Sequence, residues 1–307
     1  MKSLIPSSSV MTGAEKRAGI RKKLKPYVLI APAMISILIF VVYPIICQVV
    51  LSFTDWNLIR PKNNFIGWSN YKDLFTTPDF YEVLWNTIVY TGFVVVFTLG
   101  LALLFAFVLM QNSLINRWVQ SAIFIPHITA LISVSMVFMW LMDPQIGVFN
   151  YILRLFGLPG LKWLESSSTS MMSVIIVTVW KSVGYYTLVL LGALKGVPKE
   201  IYEAAELDNA SRVKTFFKIT IPMISPTLFF LLVVITITSF NVFDIINVMT
   251  AGGPINSTNV LVYYVYTYAF THMKIGYASA ASTVLLFIVA LLTWLYFKLL
   301  AKKVYYK

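Results

Sequence analysis

Charged residues punctuate this chain so sparsely that the gaps between them define its elements. A membrane crossing takes roughly 20 largely apolar residues to traverse about 30 Å of hydrocarbon. Twenty-nine uncharged residues separate Lys25 from Asp55, with an apolar core over Val28–Val50. Thirty-four separate Glu82 from Arg117, with a core over Thr87–Met110, and 25 separate Arg117 from Asp143, giving a third span over Ala122–Leu141. A fourth runs over Met171–Leu191 and carries Lys181; a fifth runs over Pro226–Val248 and carries Asp244. The sixth lies in the 23 uncharged residues between Lys274 and Lys298. Val260–Thr271 is apolar and aromatic but only 12 residues long, and it follows the helix-breaking Gly252-Gly253-Pro254. It reads as a segment packed at the membrane interface, where tyrosine is favoured.

Composition agrees with this pattern. Of 307 residues, 59% are hydrophobic and 12% charged, at a mean hydropathy of +0.80, whereas soluble domains carry about 25% charged residues. A soluble globule is excluded, as is a disordered chain. Cys47 is the only cysteine, so a disulfide scaffold and a Cys-based zinc site are excluded too. The first span follows a basic stretch, as a signal peptide does, but it is too long for one and lacks a small-residue cleavage site. A net charge of +12 in a soluble chain would suggest nucleic acid. In a membrane chain it asks which side the charges face. With six spans both termini share a side, and 17 of the 24 basic residues then fall on that side against 6 on the other. The expectation is an all-α polytopic membrane protein of six transmembrane helices with both termini cytoplasmic. Residues 1–26 form a basic cytoplasmic tail, 27–300 the six-helix domain, and 301–307 a second tail.

The connection over 196–225 differs from the others in being long, charged and helix-patterned. Pro198 stands where a helix can begin, and Glu200, Glu203, Glu206 and Asp208 follow. Acids early in a helix complement its N-terminal partial charge. Asn209 tolerates the left-handed conformation of a helix end. Arg212, Lys214 and Lys218 come next, alongside Phe216, Phe217 and Ile219. The pattern predicts an amphipathic helix, a tight turn and a second helix leading into the fifth span. Such a loop can be a solvated surface helix or a docking element.

Glu203-Ala204-Ala205, three residues, Asn209, nine residues, Ile219, one residue, and Ile221-Pro222 resembles the EAA loop of ABC importer permeases. The family has Gly where Asn209 stands and Leu where Ile221 stands; the spacing matches throughout. Phe240-Asn241-Val242-Phe243-Asp244, Thr250-Ala251-Gly252-Gly253-Pro254 and Gly276-Tyr277-Ala278-Ser279-Ala280 extend the likeness to the sugar-type permeases of the maltose and glycerol-phosphate importers. Tyr43-Pro44 and Ser52-Phe53 belong to the same likeness. That resemblance implies a type I ABC importer permease fold in a bacterial inner membrane. It implies a second homologous permease as a heterodimer partner, two copies of a cytoplasmic ATPase, an extracytoplasmic solute-binding protein and surrounding lipid. No cofactor is implied in this chain; ATP and Mg would sit on the ATPase. Glu203, Ala204, Ala205, Asp208, Asn209 and Ala210 would couple the permease to that ATPase. The cargo would be a sugar, an oligosaccharide or a related polyol or acidic glycan.

In the resembled family the solute path runs through the fourth and fifth spans. Thr178, Lys181, Ser182 and Tyr185 fall on one helical face of the fourth, and Thr238, Ser239 and Asn241 are the polar candidates of the fifth. Hydroxyls and rings suit the edges and faces of sugars, though Ser and Thr also join helices to one another. Intramembrane charges mark function by default. Lys181 and Asp244, at depths about 9 Å apart by the 1.5 Å helical rise, can brace the two spans as a pair. Alternatively, Lys181 can bind an acidic group of the solute. An ion-coupled secondary transporter would want several intramembrane carboxylates. A membrane enzyme would want more than His127 and His272. No phosphate-binding loop occurs, so energy must come from another chain.

Overall fold

The computed structural model describes residues 26–59, 63–111, 113–301 and 304. The basic tail expected over 1–26 and the tail over 301–307 lie almost wholly outside the described residues. In hydrocarbon every backbone N–H and C=O must find a partner inside the protein, which favours the helix. Among the described residues, Pro26–Leu51, Pro78–Val108, Ser170–Lys195 and Ile275–Leu299 are each long and apolar enough to cross a membrane, and two bent pairs raise the number to six. Apart from an isolated bridge between Thr54 and Phe65, the described residues form no strand.

The second span starts at Pro78, earlier than expected. Thr77 is its N-cap, Pro78 opens it, and Asp79 sits in the first turn, where an acid is favoured. Prolines shape two others. The first span widens into a π turn at Leu38–Val42 ahead of Pro44, and the fifth at Phe216–Thr220 ahead of Pro222. A proline ring collides with the carbonyl four residues earlier. In both places that residue, Phe40 or Lys218, lies within the widened turn.

Two expected spans are not single helices. The stretch over Ala122–Leu141 belongs to two, Leu114–Ile128 and Leu131–Leu141, set at 99°. Pro126 sits in the last turn of the first, and Thr129 and Ala130 are extended, so the i→i−4 ladder stops there. Continuous hydrophobicity concealed this elbow. The fifth span enters as Val213–Met223, bends by 69° into Ser225–Phe240, and ends at Phe240 rather than Val248. Asn241, Val242 and Phe243 leave the helix, and Asp244 opens a separate helix, Asp244–Met249. The charge of Asp244 therefore lies beyond the span expected to hold it, and its side chain is exposed.

The fourth span runs unbroken and half of its most apolar window is buried. Its core partners are the second span, the first segment of the third, and the fifth. Gly184 makes the closest of these contacts: a Cβ there would overlap the Ile123 carbonyl. Small residues permit this approach between membrane helices. A second core cluster joins the second and sixth spans to the 261–271 segment, whose Leu261 and Tyr264 are buried. That segment forms the helix Leu261–Tyr266 and a π turn, Thr267–Thr271. It packs on the sixth span without crossing. The preceding loop is tied down by Asn86, whose Nδ2 donates to the carbonyls of Asn256 and Asn259 at 2.8 and 3.2 Å. Ser170 meets Ser257 there at 2.8 Å.

Candidate functional site

A cavity of about 240 Å³ opens where the second, fourth and fifth spans meet the elbow of the third. Five of the expected path residues line it: Thr178, Lys181 and Ser182 from the fourth span, and Thr238 and Ser239 from the fifth. Their helical spacing places them there, as the i, i+3, i+4 pattern requires. The second span adds Tyr90, which lies outside the fourth and fifth spans where the path was expected. Tyr90 Oη lies 2.9 Å from Thr178 Oγ1. Thr178 already donates its proton to the Val174 carbonyl at 3.0 Å, so Tyr90 is the donor. Tyr186 and His127 complete the polar lining, with Leu131, Ile235, Val242 and Ile245 among its apolar members.

Three expected residues stand apart. Tyr185 turns from the cavity and stacks on the His127 ring, centroids 4.6 Å apart and planes 13° apart. Asn241 donates to the Ile237 carbonyl at 2.8 Å and caps its own helix. Asp244 is exposed past the break. The bracing pair between Lys181 and Asp244 is not formed. Lys181 Nζ instead donates to the carbonyls of Pro126, His127 and Thr129 at 3.1, 3.0 and 2.8 Å. These oxygens lie at the elbow, where the helix has ended and can no longer supply N–H partners.

Two larger hollows of about 440 and 520 Å³ lie at the ends of the spans. Asp143 and Glu165 line the first. The N–H groups of Ile146 and Gln145 hold the Asp143 carboxyl below the usual carboxylate range. The second is lined by Asp55, Asp73, Tyr268, His272 and Lys274 among others. Neither is lined by any of the expected path residues.

The charged loop has the expected form. Its first helix is Lys199–Leu207 with Pro198 as N-cap and Glu200 in the first turn. Asn209 takes a positive φ of 51°. Asn209 N–H donates to the Glu206 carbonyl at 3.0 Å and Ala210 N–H to the Ala205 carbonyl at 3.0 Å. Together these bonds make the Schellman closure of a helix end. Ser211 Oγ then accepts from the Lys214 N–H at 3.3 Å, opening the second helix. Ala205 is buried, whereas Glu203, Ala204, Asp208 and Asn209 face outward and Ala210 is half-buried. Leu207, Val213 and Phe217 are also exposed, at 85, 68 and 64%. Phe217 belongs to the apolar residues that the sequence pattern sets beside Arg212, Lys214 and Lys218, whereas the exposure of Leu207 and Val213 is visible only in the fold. Phe216 packs edge-on against Phe107 of the second span at 4.8 Å, fixing the loop to the bundle.

Residues 98–304 match the family described as binding-protein-dependent transport system inner membrane component. The chain is 36% identical over 284 residues to the "probable ABC transporter permease protein YurN" of Bacillus subtilis (strain 168), covering 91% of this chain and 96% of that one. It is 32% identical over 298 residues to the sn-glycerol-3-phosphate transport system permease protein UgpA of Pectobacterium atrosepticum, with coverage of 95 and 99%. It is 31% identical to the sulfoquinovosyl glycerol transport system permease protein SmoG of Agrobacterium fabrum over 287 residues, 92% of each chain. A chain of the crystal structure of a bacterial alginate ABC transporter, in complex with an alginate pentasaccharide-bound periplasmic protein, superposes with a TM-score of 0.77. It is 24% identical and the match covers 90% of this chain and 96% of that one. At that identity the likeness concerns the fold.

Proposed function

The chain belongs to the family of binding-protein-dependent transport system inner membrane components, and from that premise we propose that it forms the solute path of an ATP-driven importer. The relatives are permease subunits of ABC transporters, which are not themselves enzymes. The cargo is a sugar, an oligosaccharide or a related polyol or acidic glycan, delivered by an extracytoplasmic binding protein. The observation that carries this reading is the cavity between the spans, lined by the hydroxyls of Tyr90, Thr178, Ser182, Tyr186, Thr238 and Ser239. Hydroxyl edges beside aromatic faces match the two surfaces of a sugar ring.

The chain pairs with a second homologous permease, and two copies of a cytoplasmic ATPase, which hold ATP and Mg, bind beneath. Both termini and the 196–225 loop face the cytoplasm of a bacterial cell. Glu203, Ala204, Ala205, Asp208, Asn209 and Ala210 form the contact that transmits ATPase closure to the spans. The exposed Leu207, Val213 and Phe217 supply the apolar area such a contact buries.

The test is uptake by the complete importer reconstituted in liposomes with its binding protein. Uptake of labelled sugar or polyol should require internal ATP on the ATPase side and survive an ionophore. Loss of uptake with the ion gradient alone would mean a secondary transporter instead. Glu203→Lys should leave ATP hydrolysis running while uptake falls; wild-type coupling in that variant would remove the loop from the mechanism.

A further inference from the structure

Among the described residues that line the cavity only Lys181 carries a full charge, and neutral groups hold its ammonium. Its three partners are neutral backbone oxygens of Pro126, His127 and Thr129. They belong to the end of the 15-residue helix Leu114–Ile128, where the backbone carries partial negative charge. They satisfy the donors of the ammonium but bring no counter-charge. Among the described residues that line the cavity there is no carboxylate. Asp244, the acid that could have supplied one, lies beyond the helix break and is exposed. An ammonium whose hydrogen bonds go only to neutral oxygens keeps a charge-assisted interaction with an anion in reserve.

The groups around it are hydroxyls. Thr178 and Ser182 flank Lys181 on the same helix, and Thr238 and Ser239 line the same cavity from the fifth span. Ser182 spends its proton on the Thr178 carbonyl at 2.7 Å and Thr178 its own on Val174. Ser182 presents its acceptor lone pairs to whatever enters, and Thr178, which already accepts from Tyr90, one more. A solute suited to this lining donates hydroxyl protons along its frame and offers negative oxygens at one point. Resting on the reading of this cavity as the solute path, we propose that Lys181 selects a polyhydroxylated anion. A carboxylate, phosphate or sulfonate takes the ammonium from the elbow carbonyls, to which it returns when the path is empty.

The test uses the complete importer in liposomes with its binding protein. Three acidic probes, sn-glycerol 3-phosphate, glucuronate and digalacturonate, are set against glycerol, glucose and maltose. Capture of each probe by the binding protein is measured separately, and uptake is expressed per captured solute, because that protein is unaltered by changes in this chain. The expected result is wild-type uptake that favours an acidic probe, and a drop of about tenfold or more for that probe in Lys181→Gln. Lys181→Arg, which keeps the charge, should retain most of it. Should Lys181→Gln fail to assemble, the wild-type ratio decides: acidic over neutral uptake per captured solute near one overturns the proposal. Undiminished acidic uptake in an assembled Lys181→Gln complex overturns it as well. Uptake of neutral probes alone overturns the selectivity and leaves the importer reading standing. Uptake of none of the six removes both.

Discussion

The second and fourth spans cross as unbroken rods, whereas the third and fifth give way where they meet the cavity. Tyr90, Thr178, Lys181, Ser182 and Tyr186 come from the rods. From the broken spans come His127 and Leu131, on either side of the elbow, and Ser239 and Ile245, on either side of the gap at 241–243, with Val242 inside it. Irregular backbone is tolerated at membrane depth where it is buried in protein or lines a cavity, and here it does the latter. The rods fix position and the breaks make room. Fixing costs little to build, since a helix satisfies itself; a break must have its loose carbonyls answered from elsewhere, and Lys181 is the answer at the elbow.

The contrast can be broken most severely through Gly184. Its would-be Cβ meets the main chain of Ile123, which cannot swing aside as a side chain could. Gly184→Ala should therefore destabilise by about 3 kcal/mol or prevent assembly, measured by thermal unfolding and yield in detergent. A neutral result would mean that the fourth span is not packed as tightly as a rod must be. Next in size is Lys181→Met, which strips three carbonyls of their partner and should cost about 1–3 kcal/mol. Hydrogen exchange should quicken at residues flanking Thr129 and stay unchanged in the middle of the fourth span. Uniform quickening would put the role of Lys181 in the rod. Tyr90→Phe removes one bond between two rods and should cost about 1 kcal/mol in the same thermal assay. Gly92→Ala should move the other way. Nothing lies within 4 Å of its Cβ position, so helix propensity alone should stabilise by up to ~1 kcal/mol. Destabilisation there would reveal a close neighbour of the second span.

The rods were readable in the sequence because length and missing charge are enough to define them. The breaks were not. Hydropathy runs on through Thr129-Ala130 and through Asn241-Val242-Phe243, and only geometry separates a helix from a helix that stops. Pro126 and the run Asn241 to Asp244 were the available signals. The loop was legible in detail because its turn depends on one residue type at one place: Asn209 could be expected at positive φ, and it adopts it. Lys181 shows the limit. Its depth argued for a partner, and the sequence offered only one acid, Asp244. Backbone carbonyls carry no letter in a sequence, so the three oxygens that hold Lys181 could not be anticipated.

The first span has no buried residue from Pro26 to Leu51, yet the chain becomes buried at Ser52 and Thr54 immediately after it. There Asn70 Nδ2 donates to the carbonyls of both at 2.8 Å, Ser52 meets Tyr71 at 2.8 Å, and Gly276 lies so close that a Cβ would overlap Thr54. The helix is thus a mast stepped in a tight socket. Its last part, Tyr43–Leu51, also packs on the sixth span, so neighbours along the rest of its length, lipid or protein, load the bundle through that one end. Widening Gly276 would loosen the footing and leave the mast itself intact.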